Sequence, residues 1–222
     1  MRQAFIPPVG ARILVAGLAM AAIVTSPVLA AGQGVAKPKP ADKPPTIRLK
    51  NIPQPFNQAD IYFMQGMIPH HAQAVKMAGW AKSHGASDPV RILCERTVVG
   101  QGDEIKMMRQ WLMDRSQWTP AADATHMTMD MGGMTHDMLM PGMLSEAEMA
   151  ALDKARGKEW DRLFLEGMIK HHGGAITMVE ELLATYGAAQ GDDIYRFVSD
   201  VFADQGIEIE VMKELLAAIK GE

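Results

Sequence analysis

Residues 60–77 and 161–178 are two copies of one pattern, D-x-x-F-x-x-G-M-I-x-H-H-x-x-A-[VI]-x-M, matching at ten positions 101 residues apart. A repeat of that kind requires the fold to be assembled from two like units. A second pair follows at an offset of 104: Asp88 with Asp192, Val90 with Ile194, Val98 with Phe202, Gln101 with Gln205, Gly102 with Gly206, Glu104 with Glu208, Ile105 with Ile209 and Met108 with Met212. Its signature is Q-G-x-E-I-x-x-M, so each unit consists of two segments.

Helical periodicity runs through all four segments and strand signals are nearly absent. Asn57, with Asp60 three residues on, is placed to cap a helix that runs to about Ser83 and stops near Gly85. Asp88-Pro89 reads as an N-cap followed by proline at the first helical position of a helix ending at about Asp114. The second unit reads as a helix from about Lys158 to Tyr186, stopped by Gly187, and another from Asp192 to about Ile219. Ser145-Glu-Ala-Glu148 is a capping box for a short extra helix that Gly157 ends. Two amphipathic hairpins must bury their apolar faces against each other, so an all-α four-helix bundle built from two duplicated helical hairpins is expected. Gly102 and Gly206 weaken their helices, and their matched positions lead us to expect close helix–helix approach there. Pro69 falls inside the first helix and frees the carbonyl of Gln65, whereas the second copy has Lys170, so the two copies are expected to differ locally.

Residues 1–30 read as an export signal, with Arg2 and Arg12 before an apolar run from Ile13 to Val24 and Val28-Leu29-Ala30 as the cleavage site. That run is short for a membrane span. Its removal would take two arginines and no acid from a chain of formal charge −4, leaving −6. Mild acidity argues against nucleic acid, which calls for a clustered basic surface. Residues 31–56 are a proline-rich linker, 57–114 the first hairpin, 115–144 a methionine-rich connection and 145–220 the short helix plus second hairpin, with 57–220 as one domain. The single cysteine, Cys94, excludes an intrachain disulfide and is expected to be a buried free thiol.

Adjacent histidines flanked by methionine are a poor choice for an inert core and a good one for a metal. Met67 and His71 are four residues apart on one helical stripe that also holds Asp60, and Met168, His172 and Asp161 repeat it. His70 and His171 lie about 100° round, so the two members of a pair cannot point along one axis. Met108 and Met212 offer thioethers from the second helices, and Glu104 and Glu208 are better suited to orienting a histidine than to direct ligation. Residues 126–143 hold seven methionines and two histidines among Gly and Pro breakers, with no helical period. They read as a flexible cluster of soft ligands: His126, Met127, Met129, Met131, Met134 and His136. Neutral thioether sulfur favours Cu(I) over zinc or magnesium and, unlike thiolate, forms no disulfide in an oxidising compartment.

The stretches M-I-P-H-H at 67–71, F-L-E-G-M-I-K-H-H at 164–172, the paired Q-x-x-E-I-x-x-M signatures and M-P-G-M-L-S at 140–145 resemble the family called "domain of unknown function 305" over residues 57–219. The resemblance implies a ferritin-like four-helix bundle exported in bacteria, and for some members copper binding in the periplasm and a part in copper tolerance. Carried over by motif, it implies copper ligation by Met67, His70, His71, Met108, Met168, His171, His172 and Met212. The expected function is thus a periplasmic, non-enzymatic protein that sequesters or shuttles copper, exchanging it with other periplasmic copper-handling proteins and free of nucleic acid and, once the signal is cleaved, of membrane. The competing readings are a ferritin-like metal-dependent oxidase and a metal-free helical interaction domain. The first is weakened because no Glu-x-x-His occurs in the chain.

Overall fold

The computed structural model describes residues 54–130 and 135–221; the expected export signal, all but the last residues of the linker, and Met131 and Met134 lie outside the described residues, as do the side chains of Met129, Asp130 and Thr135. The elements are α1 (Gln58–Gly79), α2 (Asp88–Asp114), β1 (Met127–Asp130), β2 (Thr135–Met138), α3 (Glu146–Lys154), α4 (Gly157–Ala184) and α5 (Asp192–Gly221). This is the all-α bundle of two helical hairpins. No helix among the described residues is long and apolar enough to cross a membrane.

Asn57 starts α1 through a capping box: its side chain accepts from the N–H groups of Ala59 and Asp60 at 2.9 and 3.1 Å, and Asp60 returns a bond to the Asn57 N–H. At α2 the cap is Ser87, not Asp88, which becomes the first helical residue with Pro89 behind it. The Ser87 side chain makes no capping bond, and its backbone N–H donates to the carboxylate of Asp161, 3.1 Å away on the other hairpin. Asp60 does the reciprocal job, accepting from the Ala189 N–H at 2.7 Å. The duplicated aspartates, both buried, therefore each hold the loop of the opposite hairpin. Changing Asp60 to Ala strands the N–H of buried Ala189, and a loss of about 1–3 kcal/mol is expected in urea denaturation, with a smaller loss for Asp161→Ala because Ser87 is exposed. A loss near zero would mean that the loops are held by packing alone.

The buried apolar residues form two clusters. One joins Ile61 to Ala72 of α1 with Ala175 to Leu182 of α4, and the other joins Ala74 to Ala78 of α1 with Trp160 to Met168 of α4. The two helices thus run antiparallel and cross near their histidine pairs, with α2 flanking α1 and α5 flanking α4. Gly102 and Gly206 correct an expectation: a Cβ at either would meet nothing within 4 Å, because α2 and α5 do not close on each other.

The connection also differs from its reading as flexible. β1 and β2 form an antiparallel hairpin, pairing Met127 with Met138 and Met129 with His136. Met127, Met140 and Met143 are buried in the first cluster as ordinary core. The alternation of Met with polar residues around Gly132-Gly133 has the period of a strand pair, which a search for helical period passes over.

After β2, residues 140–144 lie as a strap across α1 and α4. The strap is positioned by small residues: a Cβ on Gly66 would meet Met140, one on Gly167 would meet Leu144, and one on Gly174 would fall 1.9 Å from the Pro141 carbonyl oxygen. Gln73 grips the far end, accepting from the Leu144 N–H at 2.7 Å and donating to its carbonyl at 2.9 Å. Gly174→Ala collides with backbone, so it is expected to cost about 1–3 kcal/mol. Its neighbour Gly173 has open space, and Gly173→Ala is expected to gain roughly 0.5–1 kcal/mol. Opposite signs in thermal melts of the two variants check the strap; equal shifts refute it.

Candidate metal centre

All four histidines of the two pairs are buried, with no measurable exposure. Their directions separate them by role. His70 and His171 meet at the crossing of α1 and α4, ring centroids 3.8 Å apart. His71 turns to α2, where Glu104 Oε2 lies 2.7 Å from its Nε2, in ion-pair range though outside hydrogen-bonding alignment. His172 turns to α5 and its Nε2 donates to Glu208 Oε2 at 2.8 Å. The duplication thus reproduces one His–carboxylate pair in each half.

These contacts decide which ring nitrogen is free. A carbonyl or carboxylate oxygen only accepts, so the 3.0 Å contact from His70 Nε2 to the Pro141 carbonyl places the proton on Nε2. The same holds for His172 Nε2 against Glu208. Nδ1 then carries the lone pair, and the Nδ1 atoms of His70, His71 and His172 are buried without a partner, as are both ring nitrogens of His171. A histidine whose outer N–H is held by an oxygen and whose inner nitrogen is unfilled is set up as a metal ligand. Burial, and then the neighbouring imidazoles, hold the pKa of both His70 and His171 well below the ordinary value, which keeps those lone pairs available.

Thioethers are buried on the same four helices. Met67 and Met108 are fully buried in the first apolar cluster, Met168 and Met212 in the second, so each half supplies one from its first helix and one from its second. Among the described residues no three His, Cys, Asp or Glu side chains converge to hold an ion. Cys94 is buried, and burial pushes its thiol up to about 12, so it is a protonated apolar group at neutral pH.

Of the expected ligands in the connection, Met127 is buried in the same cluster as Met67 and Met108, whereas His126 is half-buried and His136 is exposed on β2. Three positioning residues escaped the sequence reading: Gln73, Pro141 and Gly174, which together seat the strap on His70. A signal existed, since Gly173-Gly174 in mid-helix stands where the first copy has Ala72-Gln73.

Comparison with curated proteins gives no match. Among solved structures the chain is similar to the DUF305 protein of Streptomyces coelicolor, at 28% identity and TM-score 0.61 over 73% of this chain and 94% of that one. It is also similar to CopM in its Cu(II)-bound form, at 27% identity and TM-score 0.54 over 72% of this chain and 96% of that one. The Cu(I)-bound form of CopM gives 25% identity and TM-score 0.53 over the same shares. The profile of the domain of unknown function family DUF305 matches residues 60–216. With its duplicated His-His helices inside that span, the chain belongs to the DUF305 family.

Proposed function

We propose that the protein binds copper, Cu(I) in preference, through its buried histidines and thioethers, and acts without catalysis as an exported sequestering or shuttling protein in copper tolerance. The observation that carries this reading is the set of buried imidazole nitrogens left without partners on helices that also bury Met67, Met108, Met168 and Met212. Thioether plus neutral imidazole is a soft donor set, suited to Cu(I) and Ag(I) more than to Zn(II) or Fe(II). Likeness to CopM, solved with Cu(I), Cu(II) and silver, supports it. The pairs His71–Glu104 and His172–Glu208 would hold the imidazoles in orientation while Nδ1 meets the ion. Other periplasmic copper-handling proteins are the expected donors and acceptors of the cargo.

Competition titration of the metal-free protein with a Cu(I) chelator tests this, with Zn(II) and Fe(II) run alongside. Cu(I) and Ag(I) are expected to bind at least about a thousand-fold more tightly than either. Comparable affinity for Zn(II) would sink the thioether assignment.

A further inference from the structure

Where α2 and α5 part they leave a cleft of about 660 Å³, lined by residues of these two helices alone. Gln101 and Gln205, equivalent in the duplication, line it while being 4% and 3% exposed. Both polar atoms of the Gln101 amide and the carbonyl oxygen of Gln205 lack a hydrogen-bond partner. A buried primary amide with neither end satisfied costs a few kcal/mol unless something polar fills the space it faces. Four carboxylates line that space: Glu95, which is paired with Arg91, and Glu104, Asp204 and Glu208. Burial, then the charges of Glu104, Asp200 and Glu208, raise the proton affinity of Asp204, the mark of carboxylates gathered without a compensating cation. Arg96 is the one cationic side chain in the lining.

We propose that this cleft is a second cation site, which takes a divalent cation as a hydrated ion between the carboxylates of Glu104, Asp204 and Glu208 and the amide oxygens of Gln101 and Gln205. Hydration follows from geometry, since no three acidic or histidine side chains among the described residues converge on one point to ligate a bare ion. All-oxygen surroundings select a hard or borderline ion, of the Mg(II), Mn(II) or Cu(II) kind, over Cu(I). The site is therefore chemically distinct from the buried thioethers, none of which lines the cleft. It is also not symmetric: the counterpart of Asp204 in the first half is Gly100, so a single acid added by the second half completes it. On the copper reading, Glu104 and Glu208 make the cleft an antechamber to His71 and His172, whose Nε2 atoms they touch. Cation binding in the cleft does not depend on that reading.

Mn(II) is the probe, because it prefers oxygen and leaves thioethers alone. Free Mn(II) is followed by electron paramagnetic resonance during titration into the metal-free protein, and amide signals broadened by bound Mn(II) are mapped by NMR. One saturable site is expected, with broadening centred on residues 97–104 and 204–208. Asp204 is exposed and holds no ion pair among the described residues, so Asp204→Asn is expected to fold normally and to weaken Mn(II) roughly five-fold or more. Asp103→Asn, on the facing helix α2 and paired with Lys106, is expected to leave the affinity unchanged. Absence of saturable binding, broadening centred elsewhere, or equal affinity in the Asp204→Asn variant would overturn the proposal and leave the cleft to water. Since no copper is present, none of these results bears on the histidine sites.

Discussion

Changing His70, His71, His171 and His172 together to Gln is expected to weaken Cu(I) binding at pH 7.5 by roughly a hundred-fold or more, since loss even of a group that orients a ligand costs about 10–100-fold. Gln keeps much of the buried volume and its polarity, so the bundle should survive the exchange better than with Ala. The residual affinity is assigned to Met67, Met108, Met168 and Met212, and it should be independent of pH because thioether does not titrate in the accessible range. Wild-type affinity should fall with acid, as protons compete for imidazole. For His70 and His171 that fall is displaced: burial holds both below the ordinary value of about 6.5, so their competition sets in only at lower pH. A chelator competition run on both proteins across pH 7.5 to 4.5 separates the contributions. Equal affinities throughout would show that the histidine pairs are structural. Glu104→Gln and Glu208→Gln are expected to give intermediate losses, about ten-fold each, by removing the negative charge beside His71 and His172.

The sequence made the bundle legible because duplication and helical period are both local patterns. Asn57, Ser145 and Gly157 end or begin elements where their chemistry requires, and the His-His pairs stand on the helices expected for them. What stayed hidden is relational. Asp60 was read with the Met67–His71 stripe, yet its carboxylate faces the Ala189 N–H of the other hairpin, a contact separated by 129 residues. Gly102 and Gly206 were read as a close approach, because matched glycines in a helix usually mean one; here they stand where the helices diverge. Met127, Met140 and Met143 carry the same side chain whether they ligate or fill a core, and no spacing in the sequence shows that they are buried in one cluster with Met67 and Met108.

The two halves also depart from symmetry in a way that concerns function. Position 73 is Gln and its equivalent, 174, is Gly, and both serve the strap, one by gripping Leu144 and the other by making room for Pro141. The same carbonyl of Pro141 is the oxygen bonded to His70 Nε2. His171 has no such acceptor and leaves both nitrogens unpartnered. Two helices of nearly equal sequence therefore present histidines in unequal states: the tautomer of His70 is fixed by the strap, while that of His171 is not.

Metal-free protein is expected to lose stability steeply as pH falls from about 6.5 toward 5, a range in which carboxylates in proteins are mostly still ionised. In the unfolded chain His70 and His171 titrate near the ordinary value of about 6.5; in the fold, burial keeps both neutral to much lower pH. Between those limits the unfolded chain holds more protons than the folded one, so acid favours unfolding. Above about 6.5 both states are neutral and the contribution is constant, and below the folded values the loss is complete. Within the window each such histidine contributes a slope of about 1.4 kcal/mol per pH unit. Glu148, held down to about 2 chiefly by Lys170 and then by Ser145, adds its own loss only when the pH drops below its ordinary value of 4.5. Urea midpoints at pH 7.5, 6.5, 5.5 and 5.0 measure the effect, and His171→Gln, which deletes one of the two protons at issue, is expected to remove about half of the slope. Constant midpoints from pH 7.5 to 5 would mean that the histidines take up protons within the fold, and that the crossing of α1 and α4 is open to water.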